Sequence, residues 1–277
     1  MWIHDEKDTA LLHAVSLGTI KDRIEKFERI KKGGGRGTTK PSDLKEIIPV
    51  RRGPWNNHPP GWGEVDTVAH CGSTISGDFT YTVQYTDVAT IWMCLAAQWQ
   101  KGEEATVRSM ERIRSHLPFS LEGIDPDSGS EFINWHLKGW CDERGIEMTR
   151  TRPYMKNDHA RIEQKNYQNV RHVVGYHRFD KPAHVALMNE LYDALEDYVN
   201  FFVPSMKCVG KEKVRSKTIR RYDVAQTAYR RVLAHPNIAE TVKEKLRQKY
   251  ATLNPKILKQ QCDRMVEKLL KIRPRLR

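Results

Sequence analysis

Cysteine is scarce in this chain. Cys71, Cys94, Cys141, Cys208 and Cys262 are the five present in 277 residues, and no two form a C-x-x-C pair. Such wide, odd-numbered spacing argues against a disulfide framework and against a zinc knuckle, and it fits a reducing compartment. Long apolar runs are also missing: the sequence holds no stretch of about 18 apolar residues, the length a spanning helix needs. The opening Met1-Trp2-Ile3-His4-Asp5-Glu6 lacks the basic-then-apolar layout of a secretion signal. No membrane association and a cytoplasmic location are therefore expected. No internal repeat is visible. Apolar residues as such are not lacking: 39% of the chain is hydrophobic and seven residues are tryptophan, enough for a substantial core and too many for a disordered chain.

Charge is unevenly placed. The net charge is +12, yet residues 54–204 carry 14 Lys+Arg against 21 Asp+Glu, while residues 205–277 carry 21 against 6. Residues 1–53 are mildly basic, with 12 against 8. A basic tail beside an acidic middle suggests a polyanionic partner together with a carboxylate-rich site. On charge alone, a solvated pair of basic helices is the competing reading.

The same three segments differ in pattern. Residues 1–53 read as two short helices over 6–32 broken at Ser16-Leu17-Gly18, with Thr19 as a cap and Ile20, Ile24, Phe27 and Ile30 at helical spacing. They resemble either part of a helix-turn-helix or a plain helical hairpin, followed by the glycine-rich linker Gly33–Pro41. Residues 54–204 alternate: strands are expected at 64–70, 78–86, 90–97, 121–125 and 146–149, with helices at 103–116, 131–144, 161–174 and 185–202. Three hairpin-linked strands followed by α/β crossovers predict a mixed sheet with helices on its faces. Residues 205–277 read as a basic, mainly helical extension, with helices at 238–250 and 255–272.

Three acids stand where a folded chain rarely puts charge. Asp66 lies inside Val65-Asp66-Thr67-Val68-Ala69, Asp127 follows the fourth expected strand, and Glu163 sits near the start of the helix over 161–174. A carboxylate inside a strand is costly to bury unless a cation or hydrogen bonds compensate, and hard divalent cations take oxygen ligands from separate elements. Asp125 is the rival to Asp127. Glu64 shares the strand face of Asp66 and reads as a strand-start charge, and Glu131 reads as a first-turn helix acid favoured by the helix dipole.

These motifs resemble the DDE catalytic core of bacterial insertion-sequence transposases and retroviral integrases. Asp127 and Glu163 are separated by 35 residues, the spacing of that family's last two acids. Asp127-Ser128-Gly129-Ser130-Glu131-Phe132 is similar to its D-N-G-x-E-F block. Pro153-Tyr154 through Asn157 and on to Glu163 and Asn166 is similar to its P-Y-x-x-x-N-x-x-x-E-x-x-N block. Ser128 departs from the usual Asn, and His159 from the usual Asn or Gln. The resemblance covers about residues 60–200, with looser echoes at Asn200–Lys207 and Tyr250–Pro255.

The resemblance implies an RNase H-like α/β fold: a mixed five-stranded sheet flanked by helices, followed by the basic helical extension. The first acid would sit on the central strand, the second after the fourth strand and the third on the next helix, which is where the expected element order puts Asp66, Asp127 and Glu163. It further implies that these three ligate Mg²⁺ or Mn²⁺, as two ions about 3.5–4 Å apart, for DNA cleavage and then strand transfer. Double-stranded DNA (element ends and target) would be the partner, bound by a homo-oligomer at the bacterial nucleoid. Lys156, Lys165 and Asn166 are the expected DNA contacts near the metals. Lys217, Arg220, Arg221, Arg230 and Arg231 are those of the tail. An RNase H-fold nuclease that only cuts, and a non-catalytic DNA-binding protein derived from a transposase, are the alternatives.

Overall fold

A computed structural model describes residues 15–31, 44–51, 58–127, 129–150, 165–214 and 217–272. The chain divides into two compact units, Met1–Ser42 and Asp43–Arg277. In the first, one helix, α1 (Leu17–Lys31), is described. Ser16 caps it, accepting from the backbone N–H of Thr19 at 3.2 Å. Ser16 is thus the cap where Thr19 was expected, because only a residue ahead of the first turn can reach its free amides. Residues 6–14, the other expected helix, lie outside the described residues, as does the glycine-rich linker.

The second unit is built on five strands: β1 (Trp62–Ala69), β2 (Thr80–Asp87), β3 (Met93–Trp99), β4 (Gly123–Pro126) and β5 (Glu147–Met148). Their order across the sheet is β3-β2-β1-β4-β5. β1 runs antiparallel to β2, and β2 to β3, while β4 is parallel to β1 and β5 to β4. Helices α2 (Glu103–His116) and α3 (Trp135–Glu143) cross between β3, β4 and β5, and α4 (Pro182–Phe202) follows. A mixed sheet of this order with helices on both faces is an RNase H-like architecture, as expected from the sequence.

Side-chain alternation along the strands feeds two cores. On one face Val65, Val83, Tyr85, Cys94 and Ile124 pack with Met110 and Ile113 of α2 and Leu137 and Cys141 of α3. On the other, Val68, Met93, Leu95 and Ala97 pack with Met188, Leu191, Tyr192 and Leu195 of α4. The central strands can approach so closely because two positions carry no side chain. A Cβ on Gly63 would enter the Tyr85 ring, and one on Gly123 the Trp62 ring. Trp62 is occupied by this packing and by a stacked His58, with ring centroids 4.3 Å apart.

Both sheet edges are covered. Along β3, the amides of Met93, Leu95 and Ala97 point away from β2. They donate to Asn200 Oδ1 at 2.9 Å, Glu196 Oε1 at 2.6 Å and Asn189 Oδ1 at 2.8 Å, all from α4. Positions 189, 196 and 200 share one helical face, so α4 substitutes for a sixth strand and no unpaired edge is left there. At the far edge, Val50 bridges Arg150 in parallel, and the Arg51 N–H donates to the Arg150 carbonyl at 2.8 Å.

Beyond residue 205 the composition shifts but the packing does not break. An antiparallel ribbon, β6 (Cys208–Val214) and β7 (Lys217–Tyr222), precedes α5 (Ala228–Ala234), α6 (Glu240–Thr252) and α7 (Pro255–Lys271). The ribbon and α5 were not foreseen in an extension expected to be mainly helical; Lys211-Glu212-Lys213 in β6 and Arg220-Arg221 in β7 interrupt any apolar alternation, so neither strand shows a clear period. Pro255 stands at the first position of α7, as its sequence suggested, and Asn254 caps the helix, accepting from Lys256 N at 3.0 Å and Ile257 N at 3.3 Å. Ala228, Tyr229, Val232 and Leu246 belong to the first core, and Cys262 and Leu269 to the second.

Candidate active site

The register of the two central parallel strands brings Asp66 and Asp127 to the same end of the sheet. Glu64 pairs with Asp125 and Val65 with Pro126. One residue further along each chain stand Asp66, still within β1, and Asp127, the first residue after β4. Alternation gives Asp66 the face of Val68, which is the face that α4 covers. Each carboxylate is partly exposed. Asp66 Oδ1 accepts from the Thr67 N–H at 2.7 Å, and Asp127 Oδ1 accepts from the Gly129 N–H at 3.0 Å.

Asn166 enters from the same side. Its Nδ2 donates to Asp66 Oδ2 at 2.6 Å, and the residue is 7% exposed. It was expected to reach DNA; here its amide is engaged by the first acid. The backbone widens immediately after it into a π-turn over Tyr167–Arg171, then resumes α-helical pairing over His172–Val174. Such bulges rotate the register of a helix and occur often at functional sites. Val170 and Val174 anchor the segment in the second core. Lys165 is half-buried, and burial, with Arg231 as a like-charged neighbour, lowers its pKa. Glu163 and Lys156 lie outside the described residues.

Asp125 is a different kind of acid. It is wholly buried, Arg51 Nη1 lies 3.1 Å from its Oδ2, and Thr149 Oγ1 donates to its Oδ1 at 2.7 Å. The same Arg51 nitrogen lies 3.5 Å from Glu64 Oε1. Glu64 and Asp125 thus share one buried cation brought in by the segment at the sheet edge. That pairing compensates their burial, whereas Asp66 and Asp127 stay accessible.

Glu131 is where the sequence reading needs correction. The helix begins at Trp135 rather than 131, capped by Asn134, whose Oδ1 accepts from Leu137 N at 2.9 Å. Glu131 is therefore not a first-turn acid. It is 2% exposed, its Oε1 lies 2.6 Å from Lys101 Nζ, and it accepts from Thr67 Oγ1 at 3.2 Å. Its Oε2 is buried without a hydrogen-bond partner. Lys101 is held above its ordinary pKa: burial opposes the charge, but the bond to Glu131, the charge of Glu131 and that of Asp127 more than offset it. Neither Lys101 nor Thr67 was singled out from sequence, and only the adjacency of Thr67 to Asp66 hinted at either.

Of the tail cations, Arg220, Arg221 and Arg230 are exposed; Arg221 pairs with Glu212 at 2.7 Å. Arg231 is 7% exposed, pairs with Asp223 and donates to the Ser205 carbonyl at 2.7 Å, so it anchors the base of the ribbon. Lys217 opens β7.

Hard carboxylate oxygens on adjacent strands fit Mg²⁺ or Mn²⁺. Among the described residues, no group of three or more His, Cys, Asp or Glu side chains forms a metal-ligating cluster. Among the described residues, too, no helix is long and apolar enough to cross a membrane.

No family model matches the chain. Over 213 residues it is 37% identical to the uncharacterized protein y4rM of Sinorhizobium fredii (strain NBRC 101917 / NGR234), an alignment covering 76% of this chain. The chain spans 61% of that relative's length.

Proposed function

We propose that this protein is a DDE-type transposase or integrase, cutting DNA and joining its 3′ ends to a target in a divalent-metal-dependent reaction. The observation that carries this reading is the register of the central parallel pair, which brings two partly exposed aspartates, Asp66 and Asp127, to the same end of the sheet, in the order of the family's motif. On the helix expected from the sequence, Glu163 and Asn166 are one turn apart on one face, and the Asn166 amide already reaches Asp66. The third ligand of the proposed site is therefore Glu163.

Asp66, Asp127 and Glu163 would hold Mg²⁺ or Mn²⁺, which when bound supplies activation of a hydroxyl nucleophile and stabilisation of the leaving oxygen. The carboxylates act as ligands and not as a general acid–base pair. The amides of Thr67 and Gly129 and the Asn166 side chain fix the rotamers of the two described acids. Double-stranded DNA is the proposed partner. Because two element ends must meet a target, assembly into at least a dimer on DNA is part of the proposal.

Labelled DNA ends incubated with the protein, plasmid target and Mg²⁺ test it. Cleaved and joined products are expected, both abolished in Asp66→Asn, Asp127→Asn and Glu163→Gln with DNA affinity retained. Cleavage without joining, even from a supplied 3′-hydroxyl end, would make the protein a nuclease that only cuts. Turnover persisting in excess EDTA would refute the metal mechanism.

A further inference from the structure

The Glu131 carboxylate has no role in the chemistry above, yet it is one of the most thoroughly enclosed charges near the two acids. It joins three separate pieces of chain. Its Oε1 takes the Lys101 ammonium at 2.6 Å from the turn between β3 and α2, and the Thr67 hydroxyl at 3.2 Å from β1. Its own backbone carbonyl takes Asn134 Nδ2 at 2.7 Å, which locks the loop that follows β4. The carboxylate lies flush against Gly129, where any Cβ would collide with it. Gly129 is also the residue whose N–H holds Asp127, and Thr67 is the residue whose N–H holds Asp66. The two acids are thus each oriented by the backbone of a residue that Glu131 touches. Surface needs do not explain the arrangement: Glu131 is 2% exposed, and one of its oxygens is buried without a hydrogen bond. Leaving such an oxygen unsatisfied costs stability.

We propose that Glu131 is a positioning residue, a brace through Thr67, Lys101 and Gly129 that sets the separation and rotamers of Asp66 and Asp127 for divalent-cation binding. This rests on the proposed reading of Asp66 and Asp127 as ligands. Groups behind metal ligands typically change affinity by about 10–100-fold when removed. Their effect is on the geometry of the site and need not appear in global stability.

Mn²⁺ binding to the full chain, measured by calorimetry with near-ultraviolet circular dichroism as the check on folding, tests it with three variants. Asp66→Asn is the reference and is expected to abolish specific binding. Glu131→Gln is expected to weaken Mn²⁺ by about 10–100-fold. Because that change also removes a negative charge, Thr67→Val provides the charge-neutral arm. It keeps the β-branched shape on the strand, deletes only the hydroxyl, and is expected to weaken binding in the same direction by a smaller factor. Thr67→Val also stands in if Glu131→Gln does not fold. If Asp66→Asn abolishes binding while folded Thr67→Val binds as the wild type does, the brace is refuted and the ligand assignment stands. If Asp66→Asn binds Mn²⁺ as tightly as the wild type, the ligand assignment itself fails and the brace fails with it.

Discussion

Two aspartates separated by a single proline, Asp125 and Asp127, show how much is decided at the scale of one residue. Asp125 lies within β4, and Asp127 is the first residue beyond it. Asp125 is fully buried against Arg51 and Thr149, whereas Asp127 is partly exposed on a loop. Removing one member of a buried ion pair strands the other, at a cost of about 3–5 kcal/mol. Asp125→Asn is therefore expected to lower unfolding free energy by roughly that amount in urea titrations, while Asp127→Asn should change it little. Equal stabilities for the two variants would remove the distinction between a structural and a functional acid. His70 makes the other residue-scale prediction. Burial, reinforced by the Arg171 and His184 charges, depresses its pKa to about 3. The folded protein therefore keeps it neutral where the unfolded chain, titrating near 6.5, takes up a proton. Its contribution is present above about pH 6.5 and is lost as pH falls towards 3, on the order of 4 kcal/mol in full. Asp87 works in the opposite sense over part of this window, because burial raises it to about 6. The readout is hence the difference between wild type and His70→Phe. The variant's unfolding free energy should decline less between pH 7 and pH 4, and parallel curves would show that His70 does not set the acid sensitivity.

At the scale of elements, the sheet depends on α4 for more than apolar cover. Asn200 accepts from the Met93 N–H at 2.9 Å and donates to the Met93 carbonyl at 2.8 Å, as a paired strand would. Asn200→Leu leaves both groups buried and unsatisfied. Each costs roughly 1–3 kcal/mol, so a loss of a few kcal/mol is expected in denaturant titrations, with earlier hydrogen exchange along β3. Retained stability would mean that water takes over these groups. The sequence contained the relevant period, since 189, 196 and 200 fall on one helical face. It gave no sign that polar residues there face a sheet edge and not solvent, because a period alone does not say what lies opposite.

For the whole molecule, the basic tail is a chemical region without being a detachable one. Its helices complete both cores of the unit Asp43–Arg277. Cutting at 205 would expose apolar surface, so DNA affinity is better probed by neutralising exposed cations. Arg220→Ala, Arg221→Ala and Arg230→Ala should each weaken duplex binding across sequences. Each should flatten the slope of log affinity against log salt by about 1, as expected for one lost phosphate contact. Arg231→Ala should instead lower stability, because its guanidinium is committed to Asp223 and Ser205. An unchanged salt slope in the triple Arg variant would place the DNA surface elsewhere.

Much of the fold was legible along the chain, for a local reason. Alternation in β1 to β3, the helical period of α2 and α4, and the helix start at Pro255 are short-range patterns that the backbone must obey. Asp66 stood out as well, because charge inside a strand is conspicuous where burial is expected. Only the tertiary structure separated the roles of these charges. The register of β1 on β4 brought Asp66 and Asp127 to one end of the sheet, and the arrival of Arg51 at the sheet edge made Asp125 and Glu64 internal ion-pair partners. The fold of the loop after β4 turned Glu131 inward onto Lys101 and Thr67, residues 30 and 64 positions away. Whether a carboxylate is a ligand, a counter-charge or a brace depends on what stands within a few ångströms of it. Over such sequence separations, that neighbourhood is fixed by packing and not by local pattern.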